Sequence, residues 1–403
     1  MSMKVLVHDY AGHPFQVQLS RELARRGHSV VHAFAGGLVT PRGALVRCAE
    51  DPEGFQIQEV PMSRDYARYK YSFVRRRGFE VEYGRVFSSL VLRERPDVVL
   101  SANTPTESQW RMVRDAQNRG IGVITWVQDF YSIAVEKLAR KKLPLLGALA
   151  SWWYRRLDSA CFRHSRAIVA ITEDFVPILR GFGADPARIV TIPNWAPLEE
   201  LPPRPRRNDW SARHGLDDAF VFHYSGTLAM KHNPDLLLRL AIRFRGDPLV
   251  RVVVISEGPG VEWLRERKVA EGLNNLILLP FQNFKEMPDV LAASDVLMAV
   301  LEPEAGIFSV PSKVLTYHCA GKPVLGGIPA ENLAARIISQ NRTGLCVGPA
   351  DCRGFVESAV RLRTQRAEAA EMGRAARRYA EQTFDIQTIA DRFETTLTQA
   401  LIP

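Results

Sequence analysis

The residues with the clearest chemical potential lie in glycine-bearing loops that directly follow predicted strands. One turn carries Gly12 and His13, and a second loop carries Gly226, Thr227 and Lys231. Glycine lets a backbone approach a ligand closely, and a helix that begins after the loop directs free N–H groups toward an anion. With the mobile charge of a lysine, these features suit a diphosphate. The spacing is neither the GxGxxG of dinucleotide binding nor the GxxxxGK[ST] of the P-loop, and an ordinary structural turn is the alternative for each.

A third loop of this kind occupies residues 302–325. An acidic, glycine-bearing stretch leads into a predicted helix that begins near Ser312 and ends at Gly321, where a strand follows at once. Pro311 suits the first turn of a helix, and Ser312 is expected to cap it. Because a helix N-terminus attracts phosphate, Lys313 would add its charge to an anion site. A well-capped structural helix is the alternative.

Alternating strand and helix patterns must position these loops. The predicted strands are short apolar runs at Lys4–His8, Ser29–Phe34, Val98–Ser101, Gly122–Val127, Ala167–Ile171, Phe220–Tyr224, Val250–Ile255, Ile277–Leu279, Val296–Val300 and Pro323–Gly326. Helical spacing follows the first strand at 15–26, where Gly27 ends it, and the sixth strand at 235–244. A proline-rich stretch at 196–210 interrupts the rhythm. The pattern predicts an α/β fold of two doubly wound parallel sheets, with ligands at the carboxyl ends of the strands.

Composition narrows the class of protein. The chain has 403 residues, 46% hydrophobic and 24% charged, which excludes a disordered, collagen-like or disulfide-scaffold protein. Its five cysteines are scattered without a CxxC pair. We therefore expect no metal site and a reducing, cytoplasmic compartment. Neither a signal peptide nor a membrane-spanning helix is expected.

The order of several short motifs resembles the retaining nucleotide-sugar glycosyltransferases of family four, which have the GT-B fold. Gly-Lys-Pro-Val at 321–324 resembles the end of the family's late helix, residues 172–175 and 192–195 resemble its S-x-x-F and V-P-N-G stretches, and residues 257–260 and 293–296 resemble its G-x-G-P and A-D-V motifs. The resemblance covers essentially the whole chain.

The family's architecture implies two Rossmann-like domains that face each other across a cleft, with C-terminal helices returning to the first domain. On this basis we divide the chain into an acceptor-binding domain (1–198), a linker (199–215), a nucleotide-sugar-binding domain (216–380) and a C-terminal helix (381–403) that packs on the first domain.

The resemblance also implies roles for individual residues. Glu304 matches the family's first glutamate, Lys231 is what remains of its basic pair, and Gln128-Asp129 replaces a family His-Asp pair. The second family glutamate falls at Thr316, whose hydroxyl offers a ribose fewer acceptor sites. The predicted catalytic residues are Lys231, Glu304, Gln128, Asp129 and His13. The predicted donor-binding residues are Gly12, Gly226, Thr227, Gly258, Pro259, Phe281, Gln282, Gly306, Ile307, Phe308, Ser309, Val310, Pro311, Ser312, Lys313 and Thr316.

The activity implied is transfer of a sugar, with retention, from a UDP-sugar rather than a GDP-sugar, without a metal or cofactor. Pro-Ser-Lys at 311–313 resembles a branch that builds bacterial surface polysaccharides and often transfers N-acetylated amino sugars. A nucleotide-sugar epimerase of the same architecture and an inactive sugar-nucleotide-binding homologue are the alternatives.

The net charge of +9 is uneven, because residues 1–200 hold 28 Lys/Arg against 21 Asp/Glu and the remainder holds 25 against 23. Two segments, 64–77 and 136–166, combine basic and aromatic side chains as interfacial segments do. We expect them to contact an anionic membrane and a polyprenyl-diphosphate-linked saccharide acceptor, with the protein peripheral on the inner face of the cytoplasmic membrane and no nucleic-acid partner. A solvated basic helix beside a buried hairpin is the alternative. The residues predicted for this surface are Arg64, Arg68, Lys70, Arg75, Arg76, Lys141, Lys142, Trp152, Trp153 and Arg155.

Overall fold

A computed structural model describes residues 2–38, 42–63, 66–69, 72–133, 136, 144–228, 232–302 and 311–401. The chain divides into two compact units, Met1–Asn194 with Ile386–Pro403, and Trp195–Asp385. Each unit is built on one parallel sheet with helical crossovers. The predicted pair of doubly wound α/β domains is confirmed.

The first unit contains a seven-stranded sheet in the order β3-β2-β1-β4-β5-β6-β7. Its strands are β1 (Lys4–Asp9), β2 (Ser29–Ala35), β3 (Phe55–Val60), β4 (Val98–Ala102), β5 (Gly122–Val127), β6 (Ala167–Ala170) and β7 (Ile189–Thr191). Its helices are α1 (Pro14–Arg25), α2 (Tyr66–Tyr69), α3 (Phe73–Glu94), α4 (Thr106–Gln117), α5 (Pro144–His164) and α6 (Phe175–Gly181), with a 3₁₀ turn at Pro186–Arg188.

The second unit contains a six-stranded sheet in the order β10-β9-β8-β11-β12-β13. Its strands are β8 (Phe220–Ser225), β9 (Val250–Ile255), β10 (Leu276–Leu279), β11 (Val296–Val300), β12 (Val324–Gly327) and β13 (Gly344–Val347). Its helices are α7 (Asp209–Arg213), α8 (Pro234–Arg243), α9 (Pro259–Ala270), α10 (Met287–Ala292), α11 (Lys313–Cys319), α12 (Leu333–Gln340), α13 (Cys352–Thr364) and α14 (Arg366–Thr383), with 3₁₀ turns at Leu198–Glu200 and Phe284–Glu286. The last helix, α15 (Ile386–Leu401), belongs to the first unit.

The central strands are continuous apolar runs because helices cover both faces of a parallel sheet. Val5 of β1 pairs with Val30 of β2 on one side and Val98 of β4 on the other, and all three are fully buried. Gly27 ends α1 in the left-handed region, with φ of +90° and its N–H donating to the carbonyl of Ala24. This is the C-terminal glycine that the sequence predicts.

The C-terminal helix packs on the first unit, as the family resemblance implies. Arg26 Nη1 lies 2.6 Å from Asp391 Oδ1 and 3.1 Å from Glu394 Oε2, and the rings of Trp126 and Phe393 are 4.7 Å apart. The ion pairs and the ring contact fasten α15 to α1 and β5.

Several elements differ from the sequence prediction. Strands β3, β7 and β13 are edge strands of their sheets and were not predicted. The predicted C-terminal helix 381–403 is observed from Ile386, and the helical stretch before it breaks at Gln365 and at 384–385. Within the predicted linker 199–215, α7 places the indole of Trp210 in an apolar cluster of the second unit.

Candidate functional site

In the first unit, Gly12 lies at the turn between β1 and α1. Its φ is +79°, and a Cβ at this position would lie 2.7 Å from Leu45 Cδ1. The N–H of Gly43 donates to the Gly12 carbonyl at 3.0 Å. The glycine is therefore required locally by the segment 42–46, which packs against the turn.

His13 forms an ion pair with a buried carboxylate, Asp9, at the end of β1. The Nδ1 of His13 lies 3.1 Å from Asp9 Oδ1, and the carboxylate also accepts the backbone N–H groups of Ala11 and His13. Burial alone would raise the pKa of Asp9, but the charge and hydrogen bonds of His13 outweigh it and the pKa is lowered. Burial alone would lower the pKa of His13, but Asp9 and then Asp129 outweigh it and the pKa is raised. The pair favours a cationic imidazole beside an ionised carboxylate, with the His13 side chain 32% exposed.

Asn103 is a neighbour of this pair that the sequence analysis missed. It follows β4 in the left-handed region, with φ of +56°, and its Nδ2 lies 3.3 Å from His13 Nδ1. Asn103 directly follows Ala102, the residue of the buried strand β4 that pairs with Asp9, and this position is the signal that would have indicated it. The carboxyl ends of β1 and β4 thus bring Asp9, His13 and Asn103 together.

Four other histidines, His8, His32, His223 and His318, are fully buried. His8 is fully buried between Tyr83, whose hydroxyl lies 2.6 Å from Nε2, and Thr104, whose Oγ1 lies 2.9 Å from Nδ1. Burial lowers the pKa of His8 to about 3. Burial likewise lowers the pKa values of His32 and His318 to about 4 and that of His223 to about 3, so all four are neutral at pH 7.

Gln128 follows β5 and exchanges hydrogen bonds with another amide, Asn194. Gln128 Nε2 donates to Asn194 Oδ1 at 3.1 Å, and Asn194 Nδ2 donates back to Gln128 Oε1. Asn194 is the asparagine of the Ile-Pro-Asn-Trp stretch, 66 residues away along the chain. Asp129, which follows Gln128 in the chain, is exposed and contributes to the raised pKa of His13.

In the second unit, Lys313 at the start of α11 reaches the end of β8. Its Nζ lies 3.6 Å from the centroid of the Tyr224 ring, and a Cβ on Gly226 would lie 3.2 Å from the same nitrogen. Within the described part of the chain, this buried Nζ has no hydrogen-bond partner. Burial lowers the pKa of Lys313 well below its ordinary value. A desolvated ammonium group beside a glycine loop is suited to pairing with an anion.

The loops that follow β8 and β9 are packed together through glycines. The N–H of Gly260 donates to the Leu228 carbonyl at 3.0 Å, and a Cβ on Gly260 would lie 2.5 Å from that oxygen. Gly258 has φ of +116° and precedes Pro259, the first residue of α9. Tyr224 fixes the other side of the loop by donating its hydroxyl to the Thr227 carbonyl at 2.8 Å.

Helix α11 is anchored to the end of β8 by Tyr317, whose hydroxyl accepts the N–H of Ser225 at 2.9 Å and donates to its carbonyl at 3.1 Å. The neighbouring Thr316 is half-buried. Ser312 precedes the helix with helical backbone angles and forms no side-chain capping bond, so its predicted N-cap hydrogen bond is absent. Burial of Tyr317, rather than a Ser312 cap, fixes this helix.

Phe281 and Gln282 follow β10, whose end is adjacent to that of β9. Phe281 is half-buried, and Gln282 Oε1 accepts the indole N–H of Trp210 at 3.0 Å. The N–H of Ser256 donates to the Leu279 carbonyl at 3.0 Å and ties the two strand ends together. The loops at 256–260 and 280–284 therefore emerge from neighbouring strands.

Two known protein families match this chain, and the boundary between their matches lies close to the boundary between the two compact units. Residues 13–195 match the family of glycosyl transferase 4-like domains, and residues 219–365 match glycosyl transferases group 1. The chain carries two glycosyltransferase domains. The probable glycosyltransferase WbjE of Pseudomonas aeruginosa is 25% identical over 264 residues, a match that spans 64% of this chain and 64% of that protein's length.

Solved glycosyltransferase structures share the fold. HepE of Anabaena, in complex with UDP-glucose, superposes with a TM-score of 0.71 at 14% identity, over 98% of this chain and 99% of that one. WaaG, a glycosyltransferase involved in lipopolysaccharide biosynthesis, gives a TM-score of 0.68 at 18% identity, over 98% and 99% of the two chains. The GT-B fold expected from the sequence is thus confirmed.

Eleven predicted site residues are not among the residues that the structure describes: Lys231, Glu304, Gly306, Ile307, Phe308, Ser309, Val310, Arg64, Lys70, Lys141 and Lys142. Their roles stay predictions from the sequence. Among the described residues, no group of three or more His, Cys, Asp or Glu side chains could hold a metal ion.

On the glycosyltransferase 4-like domain, α3 and α5 both carry exposed apolar side chains. Arg77 Nη2 and Trp153 Nε1 both contact Glu107 Oε1, at 2.7 and 3.4 Å. Trp152 and Trp153 are 57% and 43% exposed, and Val74 is more exposed still. None of the helices that the structure describes has both the length and the apolar character needed to cross a bilayer.

The predicted basic residues of this surface differ in their contacts. The guanidinium carbons of Arg75 and Arg68 lie 4.3 and 5.4 Å from the centroid of the Tyr69 ring. Arg155 lies 4.8 Å from the Phe182 ring. Arg76 donates instead to Glu80 and to the Tyr131 hydroxyl, at 2.8 and 2.7 Å, which directs it into the domain.

Proposed function

We propose that this protein is a glycosyltransferase that moves a sugar from a UDP-sugar to a hydroxyl of a saccharide acceptor. The observation that carries the proposal is Lys313, an ammonium group without a hydrogen-bond partner among the described residues, placed against Gly226 at the end of β8. The family matches of both domains and the UDP-glucose complex of HepE support the same donor class.

Stabilisation of the leaving diphosphate would supply most of the rate enhancement. Negative charge develops on the β-phosphate as the glycosidic bond breaks, and preorganised positive groups stabilise it in the transition state. Lys313 and Lys231 are the proposed sources of this charge, and Glu304 is proposed to bind donor-sugar hydroxyls. We propose retention of configuration without a metal or cofactor, as the family resemblance implies, and activity in excess EDTA would test the metal requirement.

In the first domain, we propose that His13 donates a hydrogen bond to the nucleotide sugar, because Asp9 favours the protonated form of the imidazole. Gln128 would contact the sugar with an amide whose orientation Asn194 fixes. The Pro-Ser-Lys form at 311–313 favours an N-acetylated amino sugar. A lipid-linked polyprenyl-diphosphate saccharide in surface polysaccharide biosynthesis is the proposed acceptor.

The exposed tryptophans support a membrane-bound acceptor. Trp152 and Trp153 lie near Arg155 and Arg156, and tryptophan beside arginine is favoured at the membrane interface. We propose peripheral attachment through this surface at the inner face of the cytoplasmic membrane. Cosedimentation with phosphatidylglycerol vesicles should be lost in W152S/W153S and kept in V269S, which alters an exposed apolar residue of the other domain. Equal binding by both variants would contradict this attachment site.

The donor is best tested by thermal unfolding with a panel of nucleotides and nucleotide sugars. A ligand at 100 times its Kd adds about 2.7 kcal/mol of stability. We expect UDP compounds to stabilise the protein and GDP compounds to do so less, and no stabilisation by either would contradict the function.

Nuclear magnetic resonance of the products distinguishes the remaining alternatives. A retaining transferase keeps the anomeric configuration of the donor sugar and needs the acceptor. Conversion of the donor without acceptor would indicate an epimerase, and UDP binding without turnover would indicate an inactive homologue.

A further inference from the structure

The second domain contains a groove at the amino-terminal edge of its sheet. It has a volume of about 790 Å³, and its lining includes Arg243, Phe244, Asp247, Arg363 and Arg366. Sites for small molecules commonly have volumes of about 300–1,000 Å³. The groove is therefore large enough for a phosphorylated metabolite.

Two arginines of the groove are held on one aromatic ring. The guanidinium carbons of Arg366 and Arg363 lie 4.2 and 5.0 Å from the centroid of the Phe220 ring. The Nε of Arg363 is buried and has no hydrogen-bond partner among the described residues. A buried N–H group without a partner is unfavourable, and an anion beside the same guanidinium group would offset that cost.

The charges around the groove are unbalanced. Arg363 Nη2 lies 3.7 Å from Asp247, while Asp295 is shared between Arg366 at 3.4 Å and Arg206 at 3.2 Å. Burial lowers the pKa of Arg366, and the neighbouring arginines lower it further against the effect of Asp295. Positive charge in excess of its carboxylate partners favours an anionic ligand.

The groove is separate from the proposed donor site. It lies at Phe220, where β8 begins, whereas Lys313 contacts Gly226, directly after that strand ends. At a rise of about 3.3 Å per residue, the two ends of β8 are roughly 17 Å apart. A ligand in the groove would leave the donor site free.

We propose that this groove binds the phosphate or diphosphate group of a small phosphorylated molecule. Planar guanidinium groups bind phosphate through paired hydrogen bonds, and the exposed part of Arg366 remains available for this contact. The phosphate can belong to a soluble metabolite or to a lipid headgroup, and the two sources present the same chemistry.

Binding of pyrophosphate to the full-length chain tests the proposal by calorimetry and ³¹P spectroscopy. The measurement is made in K313M, which removes one of the two proposed donor-site cations and leaves Lys231 in place. We expect R366Q and R363Q to weaken pyrophosphate binding at least tenfold. R361Q is the matched control, because Arg361 lies on the same helix as Arg363, outside the groove, and pairs with Glu368.

The outcomes separate this site from the donor site and identify the source of the phosphate. Binding that persists in K313M and is lost in R366Q supports the groove whether or not the protein transfers sugars. Binding to phosphatidylglycerol vesicles that requires Arg366, without binding of pyrophosphate, assigns the phosphate to a lipid. Loss of all binding in K313M, or equal weakening by R361Q and R366Q, would overturn the proposal. R366Q retains this test if R363Q fails to fold, because Arg366 is the more exposed of the two.

Discussion

The candidate residues of the two domains are prepared for polar ligands in opposite ways. In the first domain His13 is paired with Asp9, and Gln128 with Asn194. In the second, Lys313 is desolvated against Tyr224 and Gly226 with no hydrogen-bond partner among the described residues. A paired side chain has a fixed orientation, whereas an unpaired buried cation costs stability that an incoming anion can recover.

This difference indicates that the two domains have different roles in the proposed reaction. The first domain would present prearranged hydrogen-bond groups to the sugar, and the second would supply positive charge to the diphosphate. Substitution of His13 in the first domain should then lower stability, whereas substitution of Lys313 in the second should raise it. The reason is that binding groups without internal partners trade stability for function.

Removing a proposed diphosphate cation is expected to have the largest effect. Lys231→Ala should lower turnover about 10²–10³-fold, equivalent to roughly 2.7–4 kcal/mol of transition-state stabilisation, with the fold intact. Initial rates with a UDP-sugar and acceptor measure this, and Lys268→Ala on α9 is the control. Near-normal turnover in Lys231→Ala would remove this lysine from the catalytic residues.

The first domain should instead lose stability when its pair is broken. His13→Ala leaves the Asp9 carboxylate buried without its imidazole partner, which should lower the free energy of unfolding by about 1–3 kcal/mol. Urea unfolding measures the loss, and His164→Ala, at an exposed histidine of the same domain, should be near neutral. If the two variants are equally stable, the Asp9–His13 pair does not stabilise the domain.

The sequence predicted most of the fold, because buried parallel strands leave continuous apolar runs such as Val296–Val300. Strand β3 was missed because it alternates polar and apolar residues at a sheet edge, and β7 because it has only three half-buried residues. The break of the C-terminal helical stretch at 384–385 depends on the packing of α15 against the first unit, which local sequence does not encode.

The candidate site was predictable where one loop carries the chemistry and less so where distant segments meet. Gly226 and Lys313 were selected from local spacing. The pairing of Gln128 with Asn194 joins the ends of two different strands, and the ion pair of His13 with Asp9 depends on how the turn directs both side chains. Burial of Asp9 is visible only once β2 and β4 flank its strand.

The second domain should gain stability when its unpaired cation is removed. Lys313→Met replaces a desolvated ammonium with an apolar group of similar length, and we expect a gain of about 1 kcal/mol, or roughly 2–4 °C in Tm. Calorimetry without ligand measures the change, with Lys268→Met as the control. A lower Tm than that of the control would show that Lys313 is internally satisfied.

The pH dependence of stability should have opposite signs in the two domains, and this is the smallest expected effect. The pKa of His13 is raised in the folded protein, so its contribution is fully present below pH 6.5 and is lost as the pH rises through the folded pKa. The pKa of Lys313 is lowered, so the unfolded chain binds the extra proton and stability increases as the pH rises toward 10.5. Each group can change the slope by at most about 1.4 kcal/mol per pH unit, and the partial exposure of His13 reduces its share. The stability advantage of wild type over His13→Gln should therefore shrink with rising pH. The stability deficit of wild type relative to Lys313→Met should also shrink, because at high pH the Lys313 amine is neutral in both the folded and the unfolded chain. If either plot of unfolding free energy against pH has the opposite slope, the pKa of His13 is not raised, or that of Lys313 is not lowered, in the folded protein.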